Sequence, residues 1–133
     1  SRDEREGGER MVCNFGHTIG HALEYLSRYR LPHGYAVAEG ILIESRIAVE
    51  LGILSAISYE RIRTLLNTFG IQEKALEKYS VHDILDATRL DKKARGGRAR
   101  YVLLEEIGTV YVRDGRFAHE VNERIVRRAL SSS

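Results

Sequence analysis

The sequence has one cysteine, Cys13, in 133 residues. That excludes a disulfide framework within the chain, and a reducing, cytoplasmic setting is the expectation. It has no excess of one charge: 21 Lys and Arg stand against 19 Asp and Glu, for a formal net charge of +2. With both signs mixed, there is no clustered basic arm for nucleic acid and no polybasic patch for a membrane surface. A pocket for a small anion is still open to such a chain, because it needs only a few cations. No apolar run approaches the roughly 18 residues of a membrane span. The opening ten residues are too charged for a secretory signal. The first residue is Ser1 rather than Met, and the expectation is an added residue or the edge of a piece of a longer protein. Repeats and low-complexity tracts are absent as well.

What is present suits one globular domain. The apolar fraction is 43%, enough to bury a core. From about residue 3 to 29, Met11, Phe15, Thr18, Ala22 and Tyr25 recur near helical spacing. Gly16 and Gly20 lie inside that pattern, each just before a histidine or, for Gly20, directly against His21. An interior glycine costs a helix about 1 kcal/mol against alanine, so something, a helix or a ligand, is expected to approach the backbone there. Pro32, the single proline, breaks the pattern. A second helix is predicted from His33–Gly34 to a terminating Gly52, with Val37, Ile41, Ile47, Ala48 and Leu51 on its apolar face and Glu44 exposed. A third helix is predicted from Ser58 to Phe69, closed by Gly70. A fourth starts at Ser80, whose spacing to Asp83 matches a capping box, and ends near Leu90. Residues 98–104 and 109–112 flank Glu105–Gly108 as a hairpin. A last amphipathic helix is predicted from His119 to Leu130. The fold class is therefore mainly α, a multi-helix domain with a small β hairpin.

The chemistry is concentrated near the start. His17 and His21 are i and i+4, so on a helix they share a face. Two such imidazoles can both reach one metal, or one can take a metal and the other a substrate. Asn14 and Arg10 extend the same stripe by one turn each. Two His, an Asn and an Arg flanked by glycine are not the Glu and Lys of an ordinary solvated face, although a His pair at this spacing also arises by chance. His33 at a helix start is either a plain first-turn residue or a ligand. Cys13 reads as a small buried hydrophobe. His82 and His119 fall in cap regions and receive no role. Asp91, Lys92 and Lys93 read either as charges favoured at a helix C-terminus or as a phosphate site.

These residues carry a resemblance. The run Asn14-Phe15-Gly16-His17-Thr18-Ile19-Gly20-His21-Ala22-Leu23-Glu24, then His33-Gly34 with Ala36, Val37, Ala38 and Gly40, then Asp91-Lys92-Lys93, then Val102-Leu103-Leu104 with Ile107-Gly108, resembles the C-terminal, metal- and substrate-binding domain of the 3-dehydroquinate synthase family. The likeness extends from about residue 3 to 112. It implies one helical C-terminal domain over residues 1–133, with the NAD-binding N-terminal domain lying outside the sequence. It implies a carbon–oxygen lyase of the shikimate pathway, active when complete. That enzyme uses NAD and a divalent metal, zinc or cobalt, to turn a seven-carbon keto-acid phosphate (DAHP) into 3-dehydroquinate with loss of phosphate. By motif position, His17 and His33 would be metal ligands, with a glutamate of the N-terminal domain as the third. His21 would face the leaving phosphate, Arg10 and Asn14 would bind substrate, and Lys92 would contact the phosphate. Glu6 would orient Arg10 or a lysine. The substrate's own phosphate would then serve as base, which would explain why no dedicated acidic base stands among the motif residues.

The sequence departs from the family pattern at Tyr35, where a Glu is usual, and at Cys13, where a Leu is usual. No glycine-rich dinucleotide fingerprint occurs, so NAD receives no residues here. The resemblance also implies a homodimer, with no nucleic-acid or membrane partner. The competing readings are another sugar-phosphate cyclase, an iron-type dehydrogenase domain, or a helical module that binds metal without catalysis.

Overall fold

The computed structural model describes residues 15–97 and 99–131. In order these form α1 (His17–Leu26), α2 (His33–Glu50), α3 (Ala56–Thr68), α4 (Ala75–Lys78), α5 (Val81–Ala94), β1 (Tyr101–Val102), β2 (Leu104–Glu106), β3 (Thr109–Val110), β4 (Ala118–His119) and α6 (Glu123–Ser131). The mainly helical expectation holds. Arg10 and Asn14, with Glu6 and Cys13, lie outside the described residues.

Helix ends follow local chemistry. Gly52 and Gly70 sit at φ 75° and 82°, the left-handed region that glycine enters without a Cβ penalty. Each lets the next amide fold back, Ile53 N–H to Ala48 O at 2.9 Å and Ile71 N–H to Leu66 O at 3.0 Å. This is the six-to-one bond that satisfies a terminal carbonyl. Ser80 Oγ accepts from Asp83 N–H at 3.0 Å, as its spacing predicts. The third helix begins at Ala56, two residues earlier than predicted, because Ser55 caps it, accepting from Ser58 N–H at 3.1 Å. The helix opened by Ser80 runs past Leu90 to Ala94, which carries Asp91 onto its last turn.

The β region is more divided than one hairpin. Leu104 pairs with Val110 and Glu106 with Thr109 across a turn at Gly108. Tyr101–Val102 leaves that hairpin and pairs antiparallel with Ala118–His119. His119 is thus a strand residue opposite Tyr101 and not the start of the last helix. That helix begins after Asn122, whose Oδ1 accepts from Arg124 N–H at 2.8 Å. Such a cap fixes a start that periodicity alone does not.

The core is built around α2, which packs against α1, α3 and α6, while α1 also packs against α5. Ile19 and Leu23 of α1, Leu42, Ile43 and Ile47 of α2, Ile84 of α5 and Val126 of α6 are buried together. Each such side chain contributes about 1.5–3 kcal/mol relative to exposure. Among the described residues no helix is long and apolar enough to cross a membrane.

The α1–α2 contact is closer than side chains allow. A Cβ built on Gly40 falls 2.2 Å from Gly16 O and 2.8 Å from Gly20 N, and one on Gly16 falls 2.5 Å from Val37 O. The expected close approach is therefore helix on helix. Gly40→Ala is expected to destabilise by about 3 kcal/mol, because the colliding atoms are backbone and cannot rotate away. Gly34→Ala, with nothing within 4 Å of its Cβ, is expected to stay within about 1 kcal/mol and on the stabilising side. Paired urea melts of the two variants check the contrast.

Candidate metal and substrate site

Three histidines converge where α1 starts and α2 starts. Ring centroids are 5.4 Å apart for His17 and His33, 5.5 Å for His17 and His21, and 6.4 Å for His21 and His33. Two imidazoles on one ion, at a metal–nitrogen distance of about 2.0–2.1 Å, place their centroids about 5 Å apart. The His17–His33 spacing fits that geometry.

The ring nitrogens are sorted by their other partners. His33 Nδ1–H donates to Glu24 Oε1 at 2.7 Å, which leaves the lone pair of Nε2 outward. A carboxylate behind a histidine in this way fixes tautomer and ring orientation and raises basicity, as in metal sites generally. His17 Nδ1 approaches Phe15 O at 3.4 Å, again leaving Nε2. Glu24 was quoted in the motif without a role. It lies three residues after His21 and seven after His17, on the same helical face, and that spacing was its signal. Among the described residues no set of three His, Cys, Asp or Glu side chains is placed to hold a metal. Among the described residues the arrangement is two neighbouring imidazoles, His17 and His33, with the Glu24 carboxylate behind His33.

His21 faces a different pair. Arg95 Nη2 donates to His21 Nδ1 at 2.6 Å, and Arg95 Nε donates to Asp91 Oδ1 at 3.1 Å. The direct contact of His21 Nδ1 with Asp91 is longer, 3.4 Å. A guanidinium only donates, so His21 Nδ1 accepts in this contact, and the same Arg95 nitrogen lies 3.4 Å from Nε2. Consistent with this, burial, followed by the Arg95 guanidinium, pushes His21 below its ordinary value, against the pull of Asp91. His21, Glu24, Tyr25, Tyr29, Asp91 and Arg95 line one open cleft of about 360 Å³.

The structure therefore brings His17, His21 and His33 together. It does not place Lys92 in that cleft. Lys92 is one residue round α5 from Asp91 and lines a separate cavity with Arg89, Tyr101 and Glu123. Asp91 and Arg95, four apart, are the α5 residues that face His21. Tyr35 also points elsewhere, lining an apolar cavity of about 540 Å³ with Leu23, Leu26, Leu31 and Glu39. Its buried hydroxyl has no hydrogen-bond partner among the described residues.

One expectation is overturned inside the scaffold. Glu44, read as exposed, is 0% exposed. Its Oε1 accepts from Gly16 N–H at 3.2 Å and its Oε2 from Ile19 N–H at 3.1 Å. The start of α1 has no side-chain cap of its own and no acid in its first turn. Glu44 supplies from α2 what a local cap normally would, to amides that no carbonyl of α1 can reach. The positive end of the helix partly offsets the cost of burying the carboxylate, several kcal/mol when unaided.

Comparison with known proteins defines the fold first. The chain superposes on 2-deoxy-scyllo-inosose synthase complexed with carbaglucose-6-phosphate, NAD+ and Co2+, with TM-score 0.71 and 21% identity, covering 88% of this chain and 32% of that one. It superposes likewise on a 2-epi-5-epi-valiolone synthase from Streptomyces hygroscopicus subsp. jinggangensis with NAD+ and Zn2+ bound, with TM-score 0.72 and 22% identity, covering 88% and 31%. The helical architecture is thus shared with part of each of these cyclases.

Sequence then narrows the class. Residues 1–94 match the model of the 3-dehydroquinate synthase C-terminal family, and the chain belongs to that family. It is 44% identical over 130 residues to the 3-dehydroquinate synthase of Nostoc punctiforme, covering 97% of this chain and 34% of that protein. The chain thus spans about a third of the length of that relative.

Glu44 also sets a pH dependence. Full burial pushes its carboxyl from an ordinary 4.5 up to about 8, against the N–H bonds of Ile19 and Gly16. The folded chain then keeps a proton that the unfolded chain has released. This stabilising contribution is complete below the ordinary value and is lost as pH rises through the folded one. Burial raises Glu39 in the same direction. Urea midpoints are expected to fall between about pH 5 and pH 9, with a flatter slope in Glu44→Met, whose side chain has no proton to hold.

Proposed function

We propose that this chain is the metal- and substrate-binding part of a 3-dehydroquinate synthase, which converts DAHP to 3-dehydroquinate with release of phosphate. The observation that supports it most is the convergence of His17 and His33, with His33 Nδ1 tied to Glu24 at 2.7 Å. In this reading His17 and His33 present Nε2 to a divalent ion, zinc or cobalt, and a nucleotide-binding domain of the full-length protein supplies a further ligand and holds NAD. The metal supplies Lewis acidity to the vicinal oxygens of the sugar acid. NAD, held by that domain, would supply the hydride acceptor and donor.

The chain's own residues bind and orient. Glu24 keeps His33 in one tautomer. His21, with its proton on Nε2, donates toward the cleft where the leaving phosphate would lie. Arg95, held by Asp91, keeps that proton in place and adds positive charge beside a dianion. Arg10 and Asn14 bind the carboxylate and hydroxyls of the substrate, while Lys92, which lines a neighbouring cavity, is given no phosphate contact in this reading. Preorganised donors of this kind act where charge develops on the departing oxygens.

In the reading proposed, His17→Ala and His33→Ala each abolish sharing of one ion, and Glu24→Gln weakens zinc or cobalt binding by about 10- to 100-fold. Calorimetric metal titration of the chain checks this. Joined to the nucleotide-binding domain that the proposal requires, the chain is expected to release phosphate from DAHP. Absence of release from a folded, NAD- and metal-loaded protein would count decisively against the reading.

A further inference from the structure

Glu44 takes no part in the chemistry proposed above. Other buried polar groups account for themselves. Ser45 Oγ bonds Ile41 O and Thr88 Oγ1 bonds Leu85 O within their own helices, and Glu39 fastens the backbone at Ala75. Glu44 instead reaches from the middle of α2 to the amides of Gly16 and Ile19. These residues bracket His17. The other end of the same two-helix seam is closed in the opposite sense, by Glu24 of α1 on His33 of α2. Between the two carboxylates, Gly16 and Gly20 meet Gly40 and Val37 backbone to backbone.

Each acid therefore holds the helix start that carries one imidazole. Glu24 acts on the His33 ring directly. Glu44 acts on the backbone from which His17 projects. The first turn of α1 has no cap of its own to hold it if Glu44 lets go.

We infer that Glu44 is a positioning residue for the metal pair: its two carboxyl oxygens fix the first turn of α1 so that His17 meets His33 at one ion. The inference rests on the metal role proposed for these two histidines. A 1 Å misplacement of a ligand is costly where two imidazoles must share an ion at fixed bond lengths. Glu44 thus sets the metal affinity of the chain while touching neither ring.

The test is a zinc titration of the 133-residue chain, followed by NMR of the histidine Cε1–H signals. In the unaltered chain, His17 and His33 are expected to shift together with a single midpoint. Glu44→Gln keeps the size but turns an amide NH2 toward a backbone N–H. Glu44→Met keeps the length and buries no charge, so the core is retained. In both variants the shared midpoint is expected to rise at least about tenfold, and His17 should lose its coupling to His33. Ser45→Ala removes a neighbouring buried polar group and should move nothing.

A folded Glu44→Met chain that binds zinc at the unaltered midpoint overturns the inference. Should neither histidine respond to zinc in the unaltered chain, while both Glu44 variants fold, the metal reading itself fails and the inference goes with it. If both variants fail to fold, amide exchange of the unaltered, zinc-free chain decides. Ile19 N–H, which has no partner within its own helix, must exchange as slowly as the amides of Ile43 and Ile47. Fast exchange there overturns the proposal.

Discussion

The α1–α2 seam is the contact on which the rest of the structure depends. Glycines at 16, 20 and 40 let two helix backbones touch, and a carboxylate at each end ties one helix to the start of the other. Close approach without Cβ atoms leaves no slack along the pair. The helix starts, and the imidazoles they carry, are consequently set relative to one another by backbone contacts and not by long side chains.

This arrangement fixes how a small set of side chains is presented. Ligand histidines need orientation as much as proximity, and orientation comes from what binds the second nitrogen. Glu24 provides that for His33. For His21 the partner is a guanidinium, and Asp91 holds the guanidinium in turn. Two histidines from one short helix are therefore given different surroundings by different neighbours, His17 beside His33 and His21 beside Arg95.

Much of the frame was legible from local signals. Ser80, Gly52 and Gly70 act within a few residues of where they stand, so the ends of α2, α3 and α5 could be placed to within a turn. The polar stripe through His17 and His21 was visible for the same reason, as was the place of Glu24 on it. The β region was less legible. Tyr101 and His119 are 18 positions apart, and two-residue strands carry no periodicity that marks a partner at that distance. The four-residue α4 was too short to announce itself. Arg95, the residue after the last turn of α5, carries no local signal, and only the packing of α5 on α1 brings it to His21.

Glu44 marks the division most clearly. A glutamate within an apolar helix pattern reads as solvent-facing, because an unpaired buried carboxylate is costly. Only the crossing of α1 over α2 supplies the two free amides that make its burial tolerable. The sequence by itself determined most of the longer helices, the glycine stops after α2 and α3, and the clustering of histidines in one segment, since these follow from neighbours along the chain. The tertiary structure alone decided which histidines meet, which nitrogen each presents and which acids hold them. Those depend on atoms brought together from positions 9 to 74 residues apart, where no local rule reaches.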